Sequence, residues 1–143
     1  NYYGIYCDNG GDYNTISYNN SWGNNYNFSG DLPDGAGNLT DVNANGTVCD
    51  IYYNISQNPL YQDQENSNFQ LEANSPNIDA GDPDSDGDGI TWATDTDDQD
   101  PDGTRMDMGA FYFDQRELPT TPTNLVATPG NAQATPRSSS DRS

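Results

Sequence analysis

The sequence predicts an all-β fold, a solenoid of short parallel strands, and three observations carry the prediction. Apolar residues alternate at period two in several short pulses: Tyr3, Ile5 and Cys7; Ile16 and Tyr18; Ile51, Tyr53 and Ile55; Phe69 and Leu71. Alternation of that kind marks half-buried strands. The pulses return roughly every 20 to 25 residues, parted by Asn- and Gly-rich turns, which is the spacing of stacked coils. No window carries an apolar stripe of helical period over a useful length. The other architecture that fits such pulses is a small β-sandwich with irregular loops.

Taken in order, residues 1–30 alternate short aromatic or apolar pieces with Asn and Gly. Residues 31–50 are a polar excursion that ends in the strand-like Thr47-Val48-Cys49. Asn58-Pro59-Leu60-Tyr61 turns the chain, Phe69 and Leu71 give the next pulse, and Ile78 leads into an acidic loop. Met106 to Phe113 then reads as a last strand. The apolar fraction is only 31%, a composition close to that of disordered chains. Ten tyrosines, four phenylalanines and two tryptophans argue for order, because disordered chains are poor in aromatics. A thin core reconciles the two, with Asn side chains stacked at the turns as hydrogen-bonded ladders. Coils over residues 1–114, containing an acidic loop at 79–107, would then be followed by a Pro/Ser/Thr-rich linker or tail over 115–143.

The formal net charge is −19, with four arginines, no lysine and no histidine. Nucleic acid and anionic membrane surfaces both need basic residues, so neither is an expected partner. No stretch is long and apolar enough to span a bilayer, so no membrane insertion is expected. The chain opens directly on NYYGIYC, which reads as a mature or excised fragment rather than a cytosolic protein. Cys7 and Cys49 form an even pair. They are either one disulfide of a secreted chain or two small buried thiols.

Eleven aspartates lie between Asp79 and Asp107, and Arg105 is the one basic residue among them. Carboxylates so crowded repel one another unless something neutralises them, and oxygen-only ligands point to Ca2+. Asp84 to Asp95 fits a twelve-position calcium loop. Asp84, Asp86 and Asp88 stand at positions 1, 3 and 5, with Gly89 at 6 for the sharp turn. Ile90 follows at 7 to offer its backbone carbonyl, and Asp95 closes the loop at 12. The closing acid is Asp rather than Glu, and no flanking helices are evident. A second group, Asp95, Asp97, Asp98, Asp100 and Asp102, would complete this site or hold another ion. The bland alternative is a solvated acidic loop. Asp79 is expected to cap a turn, and Arg105 to form a structural salt bridge with Asp79 or Asp107.

The segments NPLYQD, NFQL, NSPNIDAGDPD and DPDGTRMDMGAFYF, in that order, resemble the closing coils of secreted bacterial right-handed parallel β-helix proteins of the pectate-lyase-like kind. SPNIDAG and DGTRMDMGA match that pattern closely, and Asn58-Pro59-Leu60-Tyr61 departs modestly from it. The resemblance covers about residues 2–114 and implies the C-terminal portion of such a solenoid. PTTPTNLVATPGNAQ resembles the entry to a fibronectin type III domain, cut short by ATPRSSSDRS.

Pectate-lyase-like solenoids include lyases and glycoside hydrolases. A lyase of that kind needs a Lys or Arg base beside calcium, and this chain offers only Arg105 before Arg116. A hydrolase needs two carboxylates, one with a raised pKa, and nothing singles out Asp8, Asp12 or Asp41. Without histidine no Ser-His-Asp or Cys-His arrangement exists. No catalytic residues are therefore assigned, and the expectation is that the chain is not an enzyme. The resemblance implies instead a secreted, extracellular or cell-surface structural or adhesive module. Calcium would stabilise it, and it would stack on copies of itself or on a longer parent β-helix. The alternative is a carbohydrate-binding or carbohydrate-active fragment that meets polysaccharide through Tyr2, Tyr3, Trp22, Tyr26, Tyr52 and Tyr53. Asn19, Asn27, Asn38, Asn45 and Asn54 each begin a glycosylation sequon and are expected on surface turns.

Overall fold

The computed structural model describes residues 1–8 and 14–117. The fibronectin-like segment, Asp12 and the tail from 118 onward lie outside the described residues. Strand β1 (Tyr3–Cys7) pairs in parallel with β2 (Tyr26–Gly30), Tyr3 opposite Tyr26 and Ile5 opposite Phe28. Strands β3 (Asp41–Val42) and β4 (Val48–Cys49) form a small antiparallel hairpin. The Asn43 side chain closes it by accepting from the Asn45 and Thr47 N–H groups, the Asx geometry that turns favour. Strands β5 (Tyr61–Asp63) and β6 (Asn68–Leu71) form a second antiparallel hairpin around a 3-10 turn at Gln64–Asn66. Asp63 caps that turn, and Ser67 leaves it in the left-handed region at φ 63°. A second 3-10 turn spans Gln115–Glu117.

The expected right-handed parallel β-helix is not formed. Among the described residues there are three separate two-stranded sheets, none closed or curled, and two of the three are antiparallel hairpins. Several predicted pulses fail for local reasons. The Ile51–Tyr53–Ile55 alternation is broken by Asp50, whose Oδ1 accepts from the N–H groups of Tyr52 and Asn54 and winds the backbone into a turn. Tyr53 sits at φ 62°, a conformation no strand contains. Tyr18, at φ 54°, likewise cuts short the Ile16–Tyr18 pulse. The expected last strand at Met106–Phe113 is irregular, with Gly109 at φ 128° and Phe111 and Tyr112 exposed. The structural or adhesive β-helix function, and the carbohydrate-active β-helix offered as its alternative, lose their architectural basis with the solenoid.

The core is small. Cys49, Ile55, Ala80 and Met108 pack together, with Tyr18 against them. Polar residues are buried alongside: Ser21, Asp50, Asn54, Ser75, Asn77 and Asp98. Asn side chains do cross-link the chain, as the composition predicts, but they tie loops together rather than stacking in a ladder. Asn54 Oδ1 accepts from both the backbone N–H and the side chain of Asn19. Asn20 donates to Asn77 Oδ1, and Asn77 donates to the Met108 carbonyl. These bonds join segments 31 to 57 positions apart in the chain. They bring the segment after Ser75 and the segment before Gly109 together at the base of the acidic loop.

Of the two readings open for Cys7 and Cys49, the structure has free thiols, Cys49 buried and Cys7 half-buried. Cys49 points into the core with Ile55 and Met108, while Cys7 ends β1 opposite Gly30. Burial pushes the Cys49 thiol pKa up, with smaller contributions from the nearby Asp41 and Asp50 charges. It is therefore an inert packing thiol. Among the described residues no helix is long and apolar enough to cross a membrane.

Candidate metal centre in the acidic loop

The base of the loop is fixed by two bonds. Gly81 N–H donates to the Met106 carbonyl at 2.8 Å, and Met108 N–H to the Asn77 carbonyl at 2.9 Å. Gly81 has to be glycine, because an added Cβ would lie 2.7 Å from the Met106 carbonyl oxygen. Arg105 completes the closure. Its Nε donates to the Gly81 carbonyl at 2.8 Å, its Nη2 donates to the same oxygen, and its guanidinium lies 5.7 Å from the centre of the Tyr18 ring. The expected salt bridge from Arg105 to Asp79 or Asp107 is not made. Arg105 spends its donors on a backbone carbonyl that would otherwise lack a partner.

Within the loop, Asp side chains accept from backbone N–H groups two positions on. Asp82 accepts from Asp84, Asp86 from Asp88, and Asp88 from Ile90. Asp84 reaches further and accepts from Gly89. This succession of Asx turns, with Gly87 at φ 75° and Gly89 at φ 88°, curls the chain so that every second carboxylate faces one point. Asp84, Asp86 and Asp88 each offer one carboxylate oxygen, all within 4.8 Å of one another. Such a cluster is able to coordinate a divalent cation. Asp84 is half-buried, and Asp86 and Asp88 are exposed. The Asp88 N–H bond holds the Asp86 carboxyl pKa down. Partial loss of water and the charges of Asp88, Asp98 and Asp95 outweigh it, so the net shift is upward.

The second predicted group is dispersed. Asp98 is fully buried and lies against the first cluster, its Oδ1 accepting from Ser85 N–H at 2.6 Å and Ser85 Oγ at 2.7 Å. Its Oδ2 is buried without a hydrogen-bond partner, as is Asp84 Oδ1. Asp95 accepts from the Asp97 N–H, and Asp97 itself is exposed. Asp102 is consumed by Thr104 and by the Gln115 N–H. Asp100 accepts from the Asp107 N–H. Ile90 is exposed at the rim of the loop. The structure thus gathers Asp84, Asp86 and Asp88, with Asp98 behind them, and leaves Asp95, Asp97, Asp100 and Asp102 outside the cluster.

Asp107 anchors the far side of the loop by accepting from the N–H groups of Asp79 and Phe113, both at 2.7 Å. Burial pushes its pKa up to about 6. The two N–H bonds oppose the shift, and the Asp100 and Asp79 charges reinforce it. Asp79 does not cap its own turn. It sits at φ 54° and accepts from Gln115 Nε2 across the loop.

Asn54 is the sequon that the structure removes. It is fully buried, and its amide donates to the Ile16 carbonyl and to Asp50 Oδ2, so it is not a surface acceptor. Asn19 and Asn27 are half-buried with their amides bonded to Ser17, Asn54 and Ser56, whereas Asn38 and Asn45 are exposed. Four of the six aromatics nominated for sugar contact fall into two ring clusters, while Trp22 is exposed and Tyr52 donates its hydroxyl to the Asp34 carbonyl. Tyr2, Tyr3 and Tyr26 cluster with Tyr6 over β1 and β2, with ring centres 4.6 to 5.8 Å apart. Tyr53 stacks instead on Tyr18.

A residue that sequence reasoning missed is Asp50. It is fully buried and accepts four hydrogen bonds, two on each oxygen. Its only advance signal is its place between a strand pulse and an Asn, where an Asx turn is common. A cavity of about 550 Å³ opens between β6 and residues 110–114, but Asp114 at its edge is already paired with Arg116 at 2.7 Å. No protein-family model, curated protein or solved structure matches this chain significantly.

Proposed function

We propose that this chain is a calcium-binding module whose acidic loop, centred on Asp84, Asp86 and Asp88, is ordered by the ion it holds. The observation that carries the reading is the convergence of three carboxylate oxygens within 4.8 Å on a glycine-broken loop. Calcium accepts many oxygen ligands in a pliable geometry. Magnesium keeps several of its waters and takes one or two carboxylates, so three convergent carboxylates favour calcium. Repulsion among the loop's aspartates opposes its closure in the absence of an ion. A module of this kind, binding at about 0.1–1 mM, is matched to extracellular calcium. The carboxylates serve as charged ligands rather than as proton carriers.

The test is thermal unfolding of the full chain in millimolar calcium, in millimolar magnesium and in EDTA. Millimolar calcium against a dissociation constant of about 0.1–1 mM stabilises the native state by about 0.4–1.4 kcal/mol, so calcium should raise the midpoint above that in EDTA. Equal midpoints in calcium and EDTA would refute the reading. Equal protection by magnesium would leave a divalent site and remove the assignment to calcium.

A further inference from the structure

We infer that Asp98 is a fourth ligand of that ion, so that a single cation clasps the 84–88 turn to a second segment of the loop. The inference rests on the reading of the loop as a calcium site, and it goes beyond it in naming how the two halves of the loop are joined. Asp98 exposes none of its surface, yet only one of its oxygens is satisfied. Oδ1 is held by the N–H and hydroxyl of Ser85, the residue between Asp84 and Asp86, so the Asp98 carboxylate lies directly against the peptide that joins two ligands. The remaining oxygen, Oδ2, is buried with no partner. A buried carboxylate oxygen in that condition is costly unless a cation or donor reaches it.

The arginines among the described residues are committed elsewhere, Arg105 to the Gly81 carbonyl and Arg116 to Asp114. Asp84 repeats the pattern from the other side. One of its oxygens takes the Gly89 N–H, and the other is buried and unpartnered. Two orphaned carboxylate oxygens thus flank Ser85, one from each segment. Asp102 and Asp100 do not compete for the role, because their oxygens are drawn into the Gln115 and Asp107 contacts. Asp98 stands outside the three carboxylates that already lie within 4.8 Å of one another, so a single bridging ion would draw its free oxygen toward them across Ser85.

The experiment is calcium titration of the metal-depleted full chain by calorimetry, for the wild type, for Asp98→Asn and for Glu65→Gln as a charge-matched control far along the sequence. The expected result is one ion per wild-type chain and an affinity lowered by about tenfold or more in Asp98→Asn, with Glu65→Gln unchanged. Asn still accepts from Ser85, so the far-ultraviolet spectrum in EDTA should match the wild type. Wild-type binding with Asp98→Asn within about twofold would overturn the role of Asp98 and leave the calcium reading standing. A wild-type chain that binds no calcium would overturn both. If Asp98→Asn does not fold, the carboxyl carbon resonance of Asp98 in the unmodified chain decides the matter. It should move with those of Asp84, Asp86 and Asp88 as calcium is added, and a stationary resonance would refute the inference.

Discussion

Replacing Asp50 with Asn tests whether buried polar contacts, rather than apolar packing, hold this fold. Asp50 Oδ1 accepts from the N–H groups of Tyr52 at 2.8 Å and Asn54 at 2.9 Å. Oδ2 accepts from Gly37 N–H at 2.6 Å and Asn54 Nδ2 at 2.9 Å. All four partners are donors, and the carboxylate is fully buried. An Asn amide keeps one acceptor and brings two hydrogens of its own. In either orientation, two of the four donors then face a donor. Hydrogen bonds to a charged acceptor are each worth about 1.5–3 kcal/mol. The neutral amide is cheaper to bury than a carboxylate, which offsets part of the loss. The net expectation is a destabilisation of about 2–4 kcal/mol, a large share of the total stability of a small domain. Urea unfolding followed by tyrosine fluorescence measures it. A shift below about 0.5 kcal/mol, the range of an ordinary surface change, would show that Asp50 is not a keystone of the turn.

Two further outcomes follow from the same contacts. The folded pKa of Asp107 lies above its ordinary value, at about 6, so its protonated form is favoured by folding and its contribution is fully present below about pH 4. That contribution is lost as the pH rises through 6, so in EDTA the chain should gain stability from pH 7 down to 5. Chemical unfolding across that window checks the sign, and a fall in stability over it would contradict the burial of Asp107. Ile55 is the largest fully buried apolar side chain and touches the small cluster of Cys49, Ala80 and Met108. Ile55→Ala should cost about 2–5 kcal/mol by loss of transfer energy and by the cavity it leaves. An unfolding midpoint close to the wild type would mean that this cluster is not the core.

Local features of the fold were legible in the sequence, and long-range ones were not. Tyr3–Ile5–Cys7, Val48–Cys49 and Phe69–Leu71 do lie on strands, because two-residue alternation is a local property that short ladders preserve. The coil count failed where a single side chain redirected the backbone. Asp50 winds residues 51–54 into a turn, and Tyr18, Tyr53 and Leu60 adopt positive φ values without being glycine. Nothing in their residue types announces that choice, since the neighbouring hydrogen bonds impose it. The Asp84, Asp86 and Asp88 cluster was readable for the opposite reason. A spacing of two on Asx turns places the carboxylates together largely through contacts local to the loop. Asp98 appeared in the same acidic run as Asp97. Its burial, and the exposure of its neighbour, depend on how the loop folds back on Ser85. The resemblance to solenoid coils rested on SPNIDAG and DGTRMDMGA. These segments do meet, through Gly81 with Met106 and Asn77 with Met108, but they close a loop rather than cap a helix of strands.

The sparse apolar core bears on how this protein responds to temperature. Unfolding raises the heat capacity through the apolar surface it exposes and lowers it through the polar surface. Here the buried hydrophobic residues among those described are Cys49, Ile55, Leu71, Ala80 and Met108. They are matched by a comparable set of buried Asn, Asp and Ser. The two contributions therefore offset each other more fully than in an oil-filled domain. The stability curve should be correspondingly flat, with cooling taking little from a fold that leans so lightly on the structuring of water.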